Sequence, residues 1–398
     1  MHPADDIRGI KSSKLSNKKI ILGITGSIAA VETIKLAREL IRHGASVFPV
    51  MTKSATKILH PDSLEYATSE IPVLELTGQT EHVMHCGITK NHADLFIIYP
   101  CTANTISKIA HGIDDTPVTT YATTSIGSNI PMIIVPAMHL SMYNNKILRD
   151  NIDKLKKIGI TFIEPKIINN IAKIPDFSEI VEYCIRKIGK QDFKSKKILI
   201  IGGATADSLD DVRIITNRSS GKTAVSLAKI AFERGANVEL WYGYSSKKPP
   251  SYIMTKNFRA YDELSNLLKK SKQKFDIVFV CAAIADYLPI KQKGKIQSKK
   301  KKLVIELFPT SKVISKIRSK FPKAKIIAFK LEDNKSNLKK KSYDLLKRDN
   351  LDFVVGNTIS SLENDKSEIL IIDKKGISKN KMDEKEEIAS YILDVIKG

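Results

Sequence analysis

Cysteine is scarce in this chain of 398 residues, and the four that occur, Cys86, Cys101, Cys184 and Cys281, form neither a CxxC pair nor any spacing suited to a metal. Disulfide-stapled folds and structural zinc modules are excluded on that count, and a reducing, cytoplasmic setting without disulfide or zinc is expected. Long apolar runs are lacking too. None approaches the roughly 20 residues that cross a bilayer, and the N-terminal stretch MHPADDIRGIKSSKLSNKK has no apolar centre of the kind that directs export. Residues 1–17 are expected to be a mobile tail. Aromatic residues make up only 7% of the chain and do not interleave with the lysine runs 299–302 and 339–341, so the net charge of +22 lacks the footprint of a nucleic-acid module. The surplus reads instead as a solvated surface with an attraction for phosphorylated small molecules; neither nucleic acid nor membrane is expected as a partner.

What is present is a plan used twice. Length suits two domains, and a hydrophobic content of 42% supplies their cores. Lys18–Val50 reads as strand (Ile20–Leu22), glycine-bearing loop, helix with Ile34, Leu36, Ala37, Leu40 and Ile41 on one face, turn, and strand (Val47–Val50). Ile198–Ile201, another all-apolar run, opens a second βαβ unit that continues into a strand at Val238–Trp241. The expected organisation is therefore a tail (1–17), a first α/β domain (18–190) and a second (191–398), with the seam in the lysine-rich connection 187–196.

The second unit carries the more telling loop. After Ile198–Ile201 and Gly202-Gly203 comes a polar connection, then Asn217-Arg218-Ser219-Ser220-Gly221-Lys222 before a helix with Ala224, Leu227, Ala228 and Ala231 at helical spacing. Free N–H groups at a helix start, serine hydroxyls, a glycine and two cations make a place to hold an anion. The GxxxxGK[ST] spacing of a phosphate-binding P-loop is absent, and Gly23–Ala30 is no GxGxxG dinucleotide signature. An ordinary capped helix accounts for either loop taken alone.

Whole strings are more specific. GGAT followed by DDVRIITNRSSGK resembles the nucleotide entrance of the phosphopantothenate–cysteine ligase family, and GITGSIAA, PCTANTISKIAHGIDD and VPAMHLSM, in that order, resemble the flavin-binding cysteine decarboxylases. The resemblance implies a flavodoxin-like domain that binds FMN, followed by a Rossmann-like ligase domain, in an archaeal-like variant of a bifunctional enzyme of coenzyme A biosynthesis. CTP and magnesium would activate 4′-phosphopantothenate as an acyl-cytidylate, cysteine would displace CMP, and the product would be decarboxylated to 4′-phosphopantetheine. An alternative keeps the ligase but makes the flavin half regulatory.

By position, the resemblance puts Gly26, Ser27 and Ile28 at the FMN phosphate and Thr52, Thr102, Ala103, Asn104 and Thr105 along the flavin. It makes a histidine the decarboxylase base, His82 in Glu81-His82-Val83 or else His85, since imidazole titrates near cellular pH. In the ligase half it assigns Asn217 to the acyl-cytidylate, Lys295 to phosphate charge, Arg213 and Lys222 to further anion contacts, and Ala282, Ser311, Lys312, Val313 and Phe329 to the nucleotide. Asp286, the acid of an AAxxD-like string, would hold magnesium beside the triphosphate. The sequence departs from the pattern in three places: His139 stands where the family has an asparagine that reads the substrate carboxylate, Gln297 stands for a lysine, and 164–175 lacks the family's flap cysteine. Trimers of flavin domains, dimers of ligase domains and a combined dodecamer are what the resemblance implies for assembly. CTP against ATP stays open.

Overall fold

The computed structural model describes residues 2–168, 171–297, 302–359 and 366–397. The chain divides into two compact units, Met1–Lys190 and Gln191–Gly398.

The first unit is built on β1 (Lys19–Ile24), β2 (Ser46–Met51), β3 (Leu95–Cys101), β4 (Met132–Pro136) and β5 (Thr161–Phe162), a parallel sheet in the order β2-β1-β3-β4-β5. Registers such as Ile20↔Val47 and Ile20↔Leu95 place β1 between β2 and β3. Alternation along a strand then divides the side chains between two cores. Ile20, Leu22, Ile24, Leu95 and Ile97 enter one, and Ile21, Phe96 and Ile98 the other. The helix Thr33–Arg42 buries Leu36, Ala37, Leu40 and Ile41 completely against the first core, and Cys184 is buried beside them. Each such leucine or isoleucine is worth about 1.5–3 kcal/mol over an exposed one. This strand order is the flavodoxin-like one, with its topological switch between β1 and β3. A short antiparallel hairpin follows, β6 (Lys166–Ile168) with β7 (Ile171–Lys173).

The N-terminal segment corrects an expectation. Residues 2–17 are packed rather than a free tail: Ala4 and Leu15 are fully buried. The cause lies at the end of the helix Thr33–Arg42, whose last carbonyls need donors. Gly9 N–H donates to Ile41 O (3.0 Å), Lys11 N–H to Arg42 O (2.9 Å) and Leu15 N–H to His43 O (2.8 Å).

The second unit contains β8 (Lys197–Gly202), β9 (Ala206–Ser208), β10 (Ile214–Thr216), β11 (Asn237–Tyr242), β12 (Met254–Asn257), β13 (Ile277–Val280), β14 (Tyr287–Pro289), β15 (Leu307–Pro309), β16 (Lys325–Glu332), β17 (Phe353–Thr358), β18 (Lys366–Asp373) and β19 (Ser378–Glu384). Its main sheet runs β12-β11-β8-β13-β16-β17-β18-β19. The first six strands are parallel, and the last two pairings, β17 with β18 and β18 with β19, are antiparallel. In chain order the parallel part is 3-2-1-4-5-6, the dinucleotide-binding arrangement, with its switch between β8 and β13. β8 lies centrally and is buried from Ile198 to Gly202. A Cβ on Gly202 would sit 2.2 Å from the Cβ of Ala224, so glycine allows the helix Lys222–Glu233 to press onto the sheet. That helix buries Ala224, Leu227, Ala228 and Ala231. Of the lysine run 299–302, residues 299–301 lie outside the described residues.

Candidate active sites

In the first unit a cleft of about 530 Å³ opens at the carboxyl ends of β1, β3 and β4, lined by Gly26, Ser27, Ile28, Ala29, Thr102, Ala103, Ala137, Met138, His139, Leu140, Met142 and Ile174. Its floor is cross-linked. Thr25 Oγ1 donates to Pro100 O (2.8 Å) and accepts from Thr102 N–H (3.0 Å), joining the β1 and β3 loops. Ser27 Oγ donates to Ala137 O (3.2 Å), joining β1 to β4. Hydroxyls at the base and small or apolar walls suit a group with a phosphate at one end and a flat ring at the other. A flavin fits that donor set and volume.

Gly26, Ser27, Ile28, Thr102, Ala103 and His139 are thus brought together, while Thr52, Asn104, Thr105 and His82 lie outside this lining. Thr52 and Thr102 both act as helix caps: Thr52 Oγ1 accepts from Ala55 N–H (3.3 Å) and Thr102 Oγ1 from Thr105 N–H (3.4 Å). Thr105 is buried and shares a hydroxyl contact of 3.2 Å with Thr102; Asn104 is exposed. His139 stands at the N-cap position of the short helix Leu140–Tyr143 without a side-chain hydrogen bond to its N–H groups, and is exposed at the rim.

The two candidate histidines share one short helix, Glu81–Cys86, but not one environment. His85 Nδ1 lies 3.0 Å from the Tyr121 hydroxyl, and its ring packs 5.3 Å from Phe48 and 5.9 Å from Tyr121, between centroids. Burial, reinforced by the Lys19 charge, holds its pKa below the ordinary value. His82 Nδ1 is shielded from solvent and has no hydrogen-bond partner among the described residues. His85 Nδ1 is thus engaged with Tyr121, whereas His82 Nδ1 is not engaged among the described residues.

In the second unit a cavity of about 500 Å³ lies at the carboxyl ends of β13 and β16, between the helices Val313–Lys320 and Lys335–Arg348. Ala282, Asp286, Lys312, Val313 and Phe329 line it as the sequence suggests. Lys312 Nζ is 2.6 Å from the Asp286 carboxylate. Ser311 flanks it through Tyr261, whose hydroxyl lies 2.9 Å from Ser311 Oγ. Lys330, Lys341 and Arg348 also line the cavity, although the lysine run 339–341 reads in the sequence only as solvated surface. Lys330 and Lys341 both reach Glu332 (2.9 and 2.5 Å), which holds that carboxyl below its usual range. No cluster of three or more metal-ligating side chains occurs among the described residues. Magnesium needs fewer where substrate phosphates complete its shell, and the cavity offers Asp286 and Asp344.

Asn217, Arg213, Lys222 and Lys295 do not line that cavity. Asn217 is exposed on the loop beside it, its Nδ2 donating to Ala283 O (3.4 Å). Gly221 precedes the helix with φ +72°, and a Cβ there would meet the Tyr242 hydroxyl at 2.0 Å. The buried Thr205 joins the switch-point loops: its Oγ1 accepts from Ala285 N–H (2.9 Å). Arg213 and Lys295 stand on neighbouring segments, Arg213 donating to Ile296 O (3.2 Å), with Lys295 exposed.

Comparison with known proteins places both halves. Residues 8–189 match the flavoprotein family and residues 193–398 the C-terminal domain of the DNA/pantothenate metabolism flavoproteins. Fold and site together thus define a flavoprotein joined to a Rossmann-like domain of pantothenate metabolism. Over its whole length the chain is 41% identical to a coenzyme A biosynthesis bifunctional protein CoaBC of Thermococcus kodakarensis, covering 99% of that protein, and 37% identical to one of Methanocaldococcus jannaschii, covering 98%. A Borreliella burgdorferi CoaBC is 32% identical, with 96% of this chain and 99% of that protein covered. The chain belongs to this CoaBC family of bifunctional coenzyme A biosynthesis proteins. It is an enzyme with two activities, a phosphopantothenoylcysteine decarboxylase in the flavoprotein half and a phosphopantothenate–cysteine ligase in the other.

Proposed function

We propose that the ligase half uses CTP with magnesium, and that the cavity beneath Asn217 takes the nucleotide. The observation that carries this reading is the cavity's charge: Lys312, Lys330, Lys341 and Arg348 against Asp286 and Asp344. Four cations around one hollow suit a triphosphate, since charge-assisted hydrogen bonds are about twice as strong as neutral ones. Phe329 lies against the base, Asp286 and the phosphates hold magnesium, and Asn217 reaches the acyl-cytidylate formed when phosphopantothenate carboxylate displaces pyrophosphate. Arg213, Lys222 and Lys295 offset charge on the phosphates. Cysteine's amine then attacks the acyl carbon, and CMP leaves.

In the flavoprotein half, Gly26, Ser27 and Ile28 hold the FMN phosphate, with Thr102 and Ala103 beside the ring and Thr52, Asn104 and Thr105 supporting that wall. Bound FMN supplies the two-electron chemistry of the cysteinyl thiol. His82 takes the substrate proton, and His139 donates a hydrogen bond to the substrate carboxylate at the cleft rim. Exposed apolar side chains around the His82 helix, Ile71, Val83, Met84 and Ile88, support a subunit contact there, with flavin halves in trimers. Exposed Tyr287, Leu307 and Phe308 support dimers of ligase halves. The four cysteines are unpaired, in keeping with work in the cytoplasm. Among the described residues no helix is long and apolar enough to cross a membrane.

One assay tests the whole reading. Purified protein should show the visible spectrum of bound FMN, and with 4′-phosphopantothenate, cysteine, CTP and magnesium it should form 4′-phosphopantetheine. Equal turnover with ATP would remove the CTP assignment. Accumulation of phosphopantothenoylcysteine would remove the decarboxylase roles given to His82 and His139.

A further inference from the structure

A buried carboxylate of the ligase half that accepts four hydrogen bonds belongs to a residue given no role so far. The Asp210 side chain is wholly buried, 0% exposed. Its Oδ1 accepts from the Val212 and Arg213 N–H groups at 2.7 and 2.5 Å, closing a turn. Its Oδ2 accepts from Arg213 Nη1 at 2.7 Å and from the N–H of Ile296, 86 residues away in sequence, at 3.0 Å. Asp211 repeats the contact one step on. Its Oδ2 accepts from Gly294 N–H (3.0 Å), and its Oδ1 pairs with Lys291 (2.8 Å). Lys295 is therefore gripped on both flanks, at Gly294 and Ile296, by consecutive aspartates of the segment that leads through β10 to Asn217.

We infer that Asp210 is a positioning residue for ligation, which fixes Arg213 and the Lys295 loop as one unit against the Asn217 segment. The inference rests on the phosphate-binding role proposed above for Lys295. A lysine on an exposed loop loses much side-chain and backbone freedom when it binds a phosphate. Holding its two neighbours beforehand removes most of the backbone share, so the ammonium is placed before substrate arrives. Asp210 stays ionised throughout, because the Ile296 N–H and its other donors keep its carboxyl far below the usual range.

Asp210→Asn separates the two sides of the carboxylate. The retained oxygen still closes the 212–213 turn, whereas the new amide presents a donor to two donors, Ile296 N–H and Arg213. The test is a double-mutant cycle with Lys295→Ala, reading single-turnover ligation with CTP, thermal unfolding, and decarboxylation of supplied phosphopantothenoylcysteine. Ligation should fall about tenfold or more in Asp210→Asn, as expected when hydrogen bonds to a charged group are lost. In the Lys295→Ala background the same change should cost under about twofold, the non-additivity of residues acting as a unit. Decarboxylation should be unchanged. An equal loss in both backgrounds, or no loss, overturns the coupling while leaving Lys295 in the site. A Lys295→Ala enzyme that ligates normally removes Lys295 and this inference together. Should Asp210→Asn fail to fold, the exposed Asp211→Asn makes the same test through Gly294, with the same outcomes deciding it.

Discussion

The two clefts occupy equivalent places, outside the carboxyl ends of parallel strands, yet their chemistry is opposite. Among the described residues, the lining of the flavoprotein cleft has no lysine, arginine, aspartate or glutamate; that of the ligase cavity has four cations and two carboxylates. Net charge therefore says little about where a phosphorylated ligand sits. Only a small part of the +22 surplus lines the ligase cavity, four cations against two carboxylates, and a phosphate in the other cleft would meet backbone donors and hydroxyls. Uncharged walls favour a flat apolar ring, and charged walls favour a polyanion that must enter and leave in every turnover.

The comparison breaks most visibly if the two activities do not separate by half. His82→Asn should lower decarboxylation by roughly 10²–10⁴-fold, the usual worth of a general base, with ligation unchanged. Retained decarboxylation would reassign the base. Asn217→Ala is the counterpart in the other unit. Loss of an amide at a charge-bearing intermediate should cost about 10²–10³-fold in ligation, while the flavin spectrum and decarboxylation stay as in wild type. Unchanged ligase turnover would take Asn217 out of the site.

How far the sequence reveals each cleft follows from the range of the forces that build it. β8 and β1 are legible because their side chains are apolar on both faces, a local signal. β19, with the sequence SKNKMDE, has no such pattern; it exists through backbone pairing with β18 and is a charged edge. The packed N-terminal segment is equally silent, since what orders it is the donor demand of a helix end some 30 residues later. Glycine-rich and hydroxyl loops after apolar strands gave away Gly26, Ser27 and Thr102, for position alone puts them at the sheet's ligand edge. Lys341 and Arg348 were missed because a basic helix looks like a solvated one until its face is known. The Asp210 clip joins positions 86 residues apart, which no local pattern records.

The missed cations sharpen the contrast of charge. Lys341→Ala combined with Arg348→Ala should raise the KM for CTP by about 10–100-fold, from the loss of charge-assisted hydrogen bonds. The dependence of that KM on salt should weaken at the same time. FMN affinity, set in a cleft whose described lining carries no formal charge, should show neither change. A KM for CTP that stays within error would place the triphosphate elsewhere.

The smallest effect separates the two histidines of one short helix. His85 is held below its ordinary pKa by burial first and by Lys19 second, with Glu81 opposing, while its ring is wedged against Phe48 and Tyr121. Above pH about 6.5 it is neutral in both folded and unfolded chains and contributes no slope. Below that value the unfolded chain takes up a proton that the folded one resists, so stability falls as pH drops toward the lowered folded value. His85→Phe removes that proton and keeps the packing with Phe48, at the loss of one hydrogen bond to Tyr121. Thermal melts at pH 8 and pH 5.5 should therefore show a smaller acid shift in His85→Phe than in wild type, with decarboxylation retained at pH 8. If decarboxylation is lost instead, His85 is the base, and the shielded Nδ1 of His82 belongs to packing.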